Sequence, residues 1–342
     1  MVSVKSLDNA LPYLSCTDAG CNGNLALKGG SYAQGKGREI NSGSLICSCG
    51  REYRISGGVP YFFDSMETPR KRSIGKIKAD IKRYVDSGEA GRCLDCFTEL
   101  AYRFSETAGD DLTAIRNVFD FEKELMRGGM DDYTKAMVSQ AATAARYNLE
   151  RYRGCYMLAD NVMKDLQDLG LPEGIIFEGA MATGENLARL AEKFGGIAIG
   201  IDISERMVME AQKKTSGRDD IFVAQGSLLC TPVKGEMAKL VNINNVADRV
   251  PDPPAMASEL RRISNTGSVS AIFNCSPLQF ESPDGSVVYV PVGKRMDTSE
   301  MTQAAGFKVL KKYGTDDIRP WELETIFDGA EELPMEGVLG KR

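Results

Sequence analysis

The 342-residue chain contains no histidine. That absence removes the commonest general base and the commonest nitrogen ligand of metals, so Ser-His-Asp hydrolysis, histidine-ligated zinc catalysis and histidine pH switching are closed to it. The remaining chemistry falls to carboxylates, Tyr, Lys, Cys or a cofactor that carries its own reactive group. No run of about 18 apolar residues occurs. The opening "MVSVKSLDNALPYLSC" puts charges and a cysteine where a leader needs its apolar stretch, so a cytoplasmic protein with no membrane span is expected. An excess of positive charge is missing too. Lys and Arg number 42 against 48 Asp and Glu, and the net charge of -6 argues against a globally basic nucleic-acid binder while leaving room for a local patch.

What is present, 42% hydrophobic and 26% charged residues, suits roughly two domains on a prior of about 150 residues each. Three sections separate by pattern. Residues 1–66 are rich in Gly, Cys and Ser with short apolar pieces such as "LICS" and "GVPYFF", the marks of a small β-rich module in need of a staple. Residues 67–170 turn helical: Leu158, Val162, Leu166 and Leu169 fall on one face before Gly170 and Pro172 stop it. This section reads as a helical connector or substrate cap. Residues 171–342 alternate strands and helices, "GIIFEGA", "GENLARLAEKFG", "GIAIGID", "ERMVMEAQKKT", as βαβ units on a mainly parallel sheet do.

The nine cysteines are an odd count, clustered at short spacings only near the start, which suits thiols and a metal site better than a disulfide framework. Cys16 and Cys21 form C-x4-C, and Cys47 and Cys49 form C-x-C. Four thiolates on two tight turns can surround a structural zinc ion tetrahedrally, and its binding would supply folding energy that so small a module lacks. The alternative is four ordinary cysteines, since knuckles usually have two intervening residues. The stretch "CTDAGCNGNLAL…GSLICSCGREYRISGGVPYFF" resembles the zinc ribbon of the methyltransferase-activator family. Cys49, Gly50, Tyr53, Gly58, Val59 and Pro60 match that ribbon's tail, while the first knuckle is two residues longer and the second one shorter.

In the third section, Glu178 to Gly184 followed by "NLARLAEKF" is a strand, a tight turn and a helix start, whose free N–H groups favour polar or anionic ligand groups. Asp202, about twenty residues on, is spaced to take ribose hydroxyls. Together these segments resemble a class I S-adenosylmethionine-dependent methyltransferase of the ubiquinone/menaquinone-biosynthesis type. "EGAMATG" corresponds to its glycine motif, "AIGIDISERMVMEAQKK" to its second strand and helix, and "VAQGSLLCTPV" to its third motif. "LVNINNVADRVPDPPAMASELRRI" and "EMTQAAGFKVLKKY" match the later segments.

The resemblance implies a Rossmann-like seven-stranded sheet with its last strand antiparallel, and S-adenosyl-L-methionine as cofactor. By position it implies that Glu178, Gly179, Ala180, Ala182 and Gly184 wrap the methionine part. Asp202 and Ile203 would take ribose and adenine, Ser227 and Leu228 the adenine edge, and Asn244 completes the cofactor set. The sulfonium carries an activated methyl group, so a histidine is dispensable. Ala180 and Ala182 stand where the family has glycines, Ser227 and Lys239 where it has aspartates, and Arg249 where histidine is common.

The acceptor is expected to be a small molecule. Two other readings stay open: a non-catalytic methyltransferase-fold binding module, and an RNA methyltransferase resembling rRNA guanine enzymes. The latter would use residues 69–83, which carry seven Lys or Arg against one Asp, although such a stretch also reads as a solvated helix face. Cys93 and Cys96, a C-x2-C pair, read as a second metal or redox pair, as a thiol trap for a soft substrate together with Cys155 and Cys230, or as buried small side chains. Tyr133, Tyr147 and Tyr152 read as cap residues or helix packing.

Overall fold

The short apolar pieces of the cysteine-rich stretch pair as strands. The computed structural model describes residues 2–18, 21–33, 39–62, 72–109, 111–147, 158–203, 205–244, 246, 250, 252–275, 279–281, 287–289, 296–314, 317 and 335–342. Its first unit comprises β1 (Val2–Ser3), α1 (Val4–Ala10), β2 (Leu25–Ala33), β3 (Glu39–Cys47), β4 (Glu52–Ser56) and β5 (Val59–Pro60). Strand β3 is central and pairs antiparallel with β1, β2 and β4, and β5 adds to β4.

Helices α2 (Ile74–Asp86), α3 (Ala90–Ala108), α4 (Asp111–Met126) and α5 (Asp132–Tyr147) follow. The Ser73 hydroxyl caps α2 by accepting from the Lys76 N–H, and Gly109 at φ +76° ends α3. Their apolar faces meet in a core of Ile77, Ile81, Phe97, Leu100, Val118 and Phe121. Helix α6 (Asp160–Asp168) joins the sheet instead, burying Val162 and Leu166 as their spacing implies.

The remaining elements are β6 (Ile175–Gly179), α7 (Glu185–Phe194), β7 (Ala198–Asp202), α8 (Glu205–Lys214), β8 (Ile221–Gln225), β9 (Ala238–Asn244), α9 (Pro253–Ile263), β10 (Ser264–Cys275), the hairpin β11 (Gln279–Glu281) and β12 (Val287–Tyr289), α10 (Thr298–Ala304), β13 (Lys308–Tyr313) and β14 (Met335–Lys341). Seven strands form one sheet in the order β13-β14-β10-β9-β6-β7-β8. The pairs β10/β9, β9/β6, β6/β7 and β7/β8 are parallel, while β14 runs antiparallel to both β10 and β13. This is the expected Rossmann-like sheet with its last strand antiparallel.

Every residue of β6, β7 and β8 is buried, because helices or the amino-terminal unit cover both faces; the unbroken apolar runs of the sequence reflect that double cover. One face packs with α9, α10 and the amino-terminal unit. The other packs with α6, α7 and α8. The chain leaves β6 for β7 and β8 on one side, then returns to β9 and β10 on the other, so a crevice opens beyond the carboxyl ends of β6 and β9. Edge strand β8 is covered by the amino-terminal unit, with Tyr61 bridging parallel to Gln225. No helix among the described residues is long and apolar enough to cross a membrane.

Candidate cofactor site

Strand β6 ends at the crevice with Glu178, only 2% exposed. Its Oε1 accepts from Asn242 Nδ2 of β9 at 2.7 Å, and its Oε2 has no hydrogen-bond partner. Burial pushes this carboxyl up to about 8; hydrogen bonds from Asn242, the Leu187 N–H and Asn186 act against the shift, and the Asp202 charge adds to it. Glu178 therefore favours its protonated form at pH 7, with Oε1 accepting from Asn242 and Oε2 left without a partner.

The turn after β6 explains which motif positions kept glycine. A Cβ on Gly179 would lie 2.2 Å from Leu228 Cδ2 and 2.8 Å from Ile243 Cδ1, so no side chain fits. Gly184 caps α7 at φ +78°, with Ala211 Cβ 3.2 Å from where its own Cβ would be. Ala180 and Ala182 also adopt left-handed backbone, at φ +53° and +48°, a conformation that costs a non-glycine residue about 1–2 kcal/mol. Ala180 packs against the core shared with the amino-terminal unit, and Ala182 against the core of α2–α5. Burying a methyl returns about 0.8 kcal/mol, so packing offsets much of the strain. The Ala180→Gly/Ala182→Gly chain is accordingly expected to change unfolding free energy by less than about 2 kcal/mol, read by denaturant melts. A larger change would mean that the methyls carry more than packing.

The next strand delivers Asp202, 8% exposed, whose Oδ2 accepts the Ala182 N–H at 3.0 Å. One carboxylate thus braces the turn from the neighbouring strand, and a carboxylate accepts about four hydrogen bonds in all. Ile203 beyond it is 51% exposed, an apolar surface beside the acid. Gln225 Nε2 donates to the Ile203 carbonyl at 2.9 Å, and the Gly226 N–H to the Asp202 carbonyl at 3.0 Å. The Ser227 hydroxyl accepts from the Leu229 N–H at 3.1 Å and so shapes the 227–230 turn, while buried Leu228 roofs Gly179. Asn244 ends β9.

Glu178, Gly179, Ala180, Ala182, Gly184, Asp202, Ile203, Ser227, Leu228 and Asn244 therefore lie at the carboxyl ends of β6, β7, β8 and β9 or in the turns that follow them. Residues 178–272 match the family model described as a methyltransferase domain. This is a Rossmann-like methyltransferase fold. No curated protein matches the chain. Among solved structures, an S-adenosylmethionine-dependent methyltransferase from Aquifex aeolicus is 17% identical at a TM-score of 0.41, covering 57% of this chain and 95% of that one. The cyclase SpnF is 12% identical at 0.41, covering 54% and 81%. A chain from the complex of the Haloferax volcanii Trm112 methyltransferase activator is 17% identical at 0.39, covering 53% and 94%.

One residue of the site's geometry was missed from the sequence. Asn242 belongs with Glu178, and its signal was an asparagine inside the buried apolar strand "AKLVNIN". Lys239, at the opposite end of β9, lies away from the crevice. Its Nζ donates to the Gly195 carbonyl at 3.0 Å, beyond the carboxyl end of α7, a favourable place for a cation, and burial lowers its pKa.

The amino-terminal cysteines converge. The four sulfurs of Cys16, Cys21, Cys47 and Cys49 all lie within 4.8 Å of one another. Cys16 Sγ is 3.7 Å from Cys49 Sγ and Cys21 Sγ is 3.5 Å from Cys47 Sγ, against the edge of about 3.8 Å for a tetrahedron with zinc–sulfur bonds of about 2.3 Å. The unusual spacings are accommodated by Gly23, where a Cβ would lie 2.5 Å from Cys47 Sγ, and by Gly50 at φ +91°. Tyr53 OH sits 3.0 Å from Cys16 Sγ and accepts the Thr17 N–H at 2.8 Å.

The basic stretch is largely spent on its own helices. Arg72 pairs with Asp80 at 2.9 Å and with Glu99; Lys76 and Arg83 reach Asp80 at 3.0 and 3.1 Å; Lys82 reaches Glu124 at 2.9 Å. Lys78 lies over the Phe121 ring at 4.6 Å. Residues 69–71 fall outside the described residues, as do Arg249, Tyr152 and Cys155 and the side chains of Tyr133 and Tyr147. Cys93 and Cys96 are buried on α3, and Cys230 is half-buried beside the 227–230 turn.

Proposed function

We propose that the chain is an S-adenosylmethionine-dependent methyltransferase acting on a small-molecule acceptor, built as an amino-terminal zinc ribbon (1–66), a helical cap (67–170) and a catalytic domain (171–342). The observation that carries the reading is the joining of three elements at the crevice. Glu178 and Asn242 meet across β6 and β9, and the Asp202 carboxylate holds the Ala182 N–H. These donors and acceptors fit the cofactor: the Asp202 carboxylate can accept from ribose hydroxyls, exposed Ile203 offers an apolar surface to adenine, and the orphaned Glu178 Oε2, on releasing its proton, can accept from the cationic methionine end. When bound, the cofactor supplies an activated methyl group; the chain's part is to orient it and keep water away.

A small acceptor is favoured because the core of α2–α5 takes in Met207 of α8 and packs against Ala182, which brings the cap onto the cofactor turn. Tyr102 OH reaches Met207 Sδ at 3.4 Å in that contact. The 72–83 cations are partly paired with Asp80, Glu99 and Glu124, which lowers the fixed charge they offer to phosphates. In the amino-terminal ribbon, Cys16, Cys21, Cys47 and Cys49 would hold a structural zinc ion.

Titration calorimetry of the full chain with S-adenosylmethionine and S-adenosylhomocysteine tests the reading, with single-site binding expected. Asp202→Ala removes hydrogen bonds to a charged acceptor worth about 1.5–3 kcal/mol each, so affinity is expected to fall at least about a hundredfold. Absence of heat and of any thermal shift at millimolar ligand in the unaltered chain would leave the binding-module reading in its place.

A further inference from the structure

The amino-terminal unit meets the sheet at several points, among them residues 58–62, which run beside the carboxyl end of β8. We propose that this segment is a positioning element of the cofactor site, with Tyr61 and Gln225 together fixing the loop that carries Asp202 and Ile203. The inference rests on the methyltransferase reading above and adds a role for the amino-terminal unit within that same site.

Three attachments define the element. The Phe62 N–H donates to the Gln225 carbonyl at 2.9 Å, and Tyr61 bridges to the same residue, so the segment runs alongside the outer edge of β8. The Gln225 side chain, buried beneath this segment, donates from Nε2 to the Ile203 carbonyl at 2.9 Å. Tyr61 OH donates to the Glu205 carboxylate in the first turn of α8, while the Arg54 guanidinium lies over the Tyr61 ring at 4.4 Å. Farther along α8, Gln212 Nε2 donates to the Gly58 carbonyl. Residues 58–62, more than 140 residues away in sequence, thereby hold α8 directly and the Ile203 carbonyl by way of Gln225 of β8.

The physical argument concerns where the restraints fall. Asp202 is the last residue of β7 and Ile203 follows it, so their side chains depend on the backbone course between the strand and α8. Ile203 is half exposed and its side chain contributes little packing of its own. Its carbonyl, held by Gln225, and the start of α8, held by Tyr61, are the fixed points. A loop prepared in its bound shape gives up less conformational freedom when ligand arrives, and affinity rises for that reason alone. The same contacts cover the face of the amino-terminal unit nearest β8 with the chain's own residues.

The test uses the full chain. Tyr61→Phe keeps the buried ring and its stacking with Arg54 but deletes the hydroxyl. Glu205→Gln removes the acceptor charge from the opposite side and leaves the amino-terminal unit untouched, and Gln225→Met keeps length without a donor. Hydrogen exchange of the unliganded protein is expected to quicken over 201–210 in each variant, while 238–244 and 264–275 stay as protected as before. S-adenosylhomocysteine affinity is expected to fall about tenfold in Tyr61→Phe. The Tyr61→Phe/Glu205→Gln pair should lose no more than Tyr61→Phe alone, because both act on one bond, the first deleting its donor and the second only removing its acceptor's charge.

Unchanged exchange over 201–210 in Glu205→Gln and Gln225→Met overturns the proposal, as does faster exchange with unaltered affinity. If the unaltered chain fails to bind S-adenosylhomocysteine, the functional reading falls by itself, and the exchange measurement still decides whether residues 58–62 hold the loop. Loss of protection throughout the sheet would assign Tyr61 a merely structural role and also overturn it.

Discussion

Replacing Cys47 with serine is expected to abolish binding of the zinc ion proposed for the four-cysteine cluster, from about one ion per chain to none, and to melt the amino-terminal unit. A structural zinc site contributes about 10–16 kcal/mol of apparent binding free energy, more than a unit of this size recovers from its own core. Cys47 is central to the cluster. Hydrogen bonding from the Cys49 backbone is the leading reason its thiol is brought down to about 7, with burial opposing, so it enters the thiolate form readily. A serine hydroxyl offers no equivalent ligand. Gly23→Ala provides an independent arm, because it keeps all four thiols but drives a methyl to 2.5 Å from Cys47 Sγ. Metal analysis and exchange protection over 2–62 are the readouts. A chain that purifies without zinc, and whose Cys47→Ser form melts at the same temperature, would return these residues to ordinary cysteines.

The second large effect concerns pH. Glu178 is held near 8 in the folded protein, whereas an unfolded glutamate titrates at about 4.3. Between those values the folded state keeps a proton that the unfolded state has released. Stability therefore falls as pH rises from about 4.3 to about 8, and levels above that range, with a total change on the order of a few kcal/mol. Glu178→Gln cannot lose a proton and keeps an acceptor and donor in place, so its denaturation midpoint is expected to decline less steeply over the same window. Parallel profiles for the two proteins would remove Glu178 as the cause. The same coupling predicts proton release when a cationic ligand settles beside Glu178 near pH 7, measured by calorimetry in buffers of different ionisation enthalpy.

Much of the fold was legible before any coordinates. The strand and helix order from Gly174 follows from short apolar runs that are buried on both faces, and these runs form β6 to β9 and α7 to α8. Val162 and Leu166 bury together because helical spacing puts them on one face of α6, whereas Leu158, expected on the same face, lies before the helix begins and reaches that core from the preceding segment. Ambiguity lay where chemistry depended on partners distant in sequence. For residues 69–83 the sequence offers either an RNA contact or a solvated helix face, because the acids that pair with Arg72 and Lys82, Glu99 and Glu124, sit on other helices. The weight of Ala180 and Ala182 could not be judged from the motif alone, since what their methyls pack against comes from the two flanking units.

By itself the sequence determined the sheet, the tight turn after β6, the spaced acid Asp202 and the two cysteine pairs, because periodicity, turn chemistry and residue spacing are local properties that each segment carries with it. The tertiary structure alone decided three matters. It buried Glu178 against Asn242 and so made it a neutral acid. It brought four sulfurs with unusual spacings to tetrahedral distances. It set residues 58–62 against β8, where Tyr61 and Gln225 reach the loop of Asp202. Burial, cluster geometry and contact between remote segments arise only when the chain closes on itself, and a carboxyl's charge or a loop's rigidity follows from them.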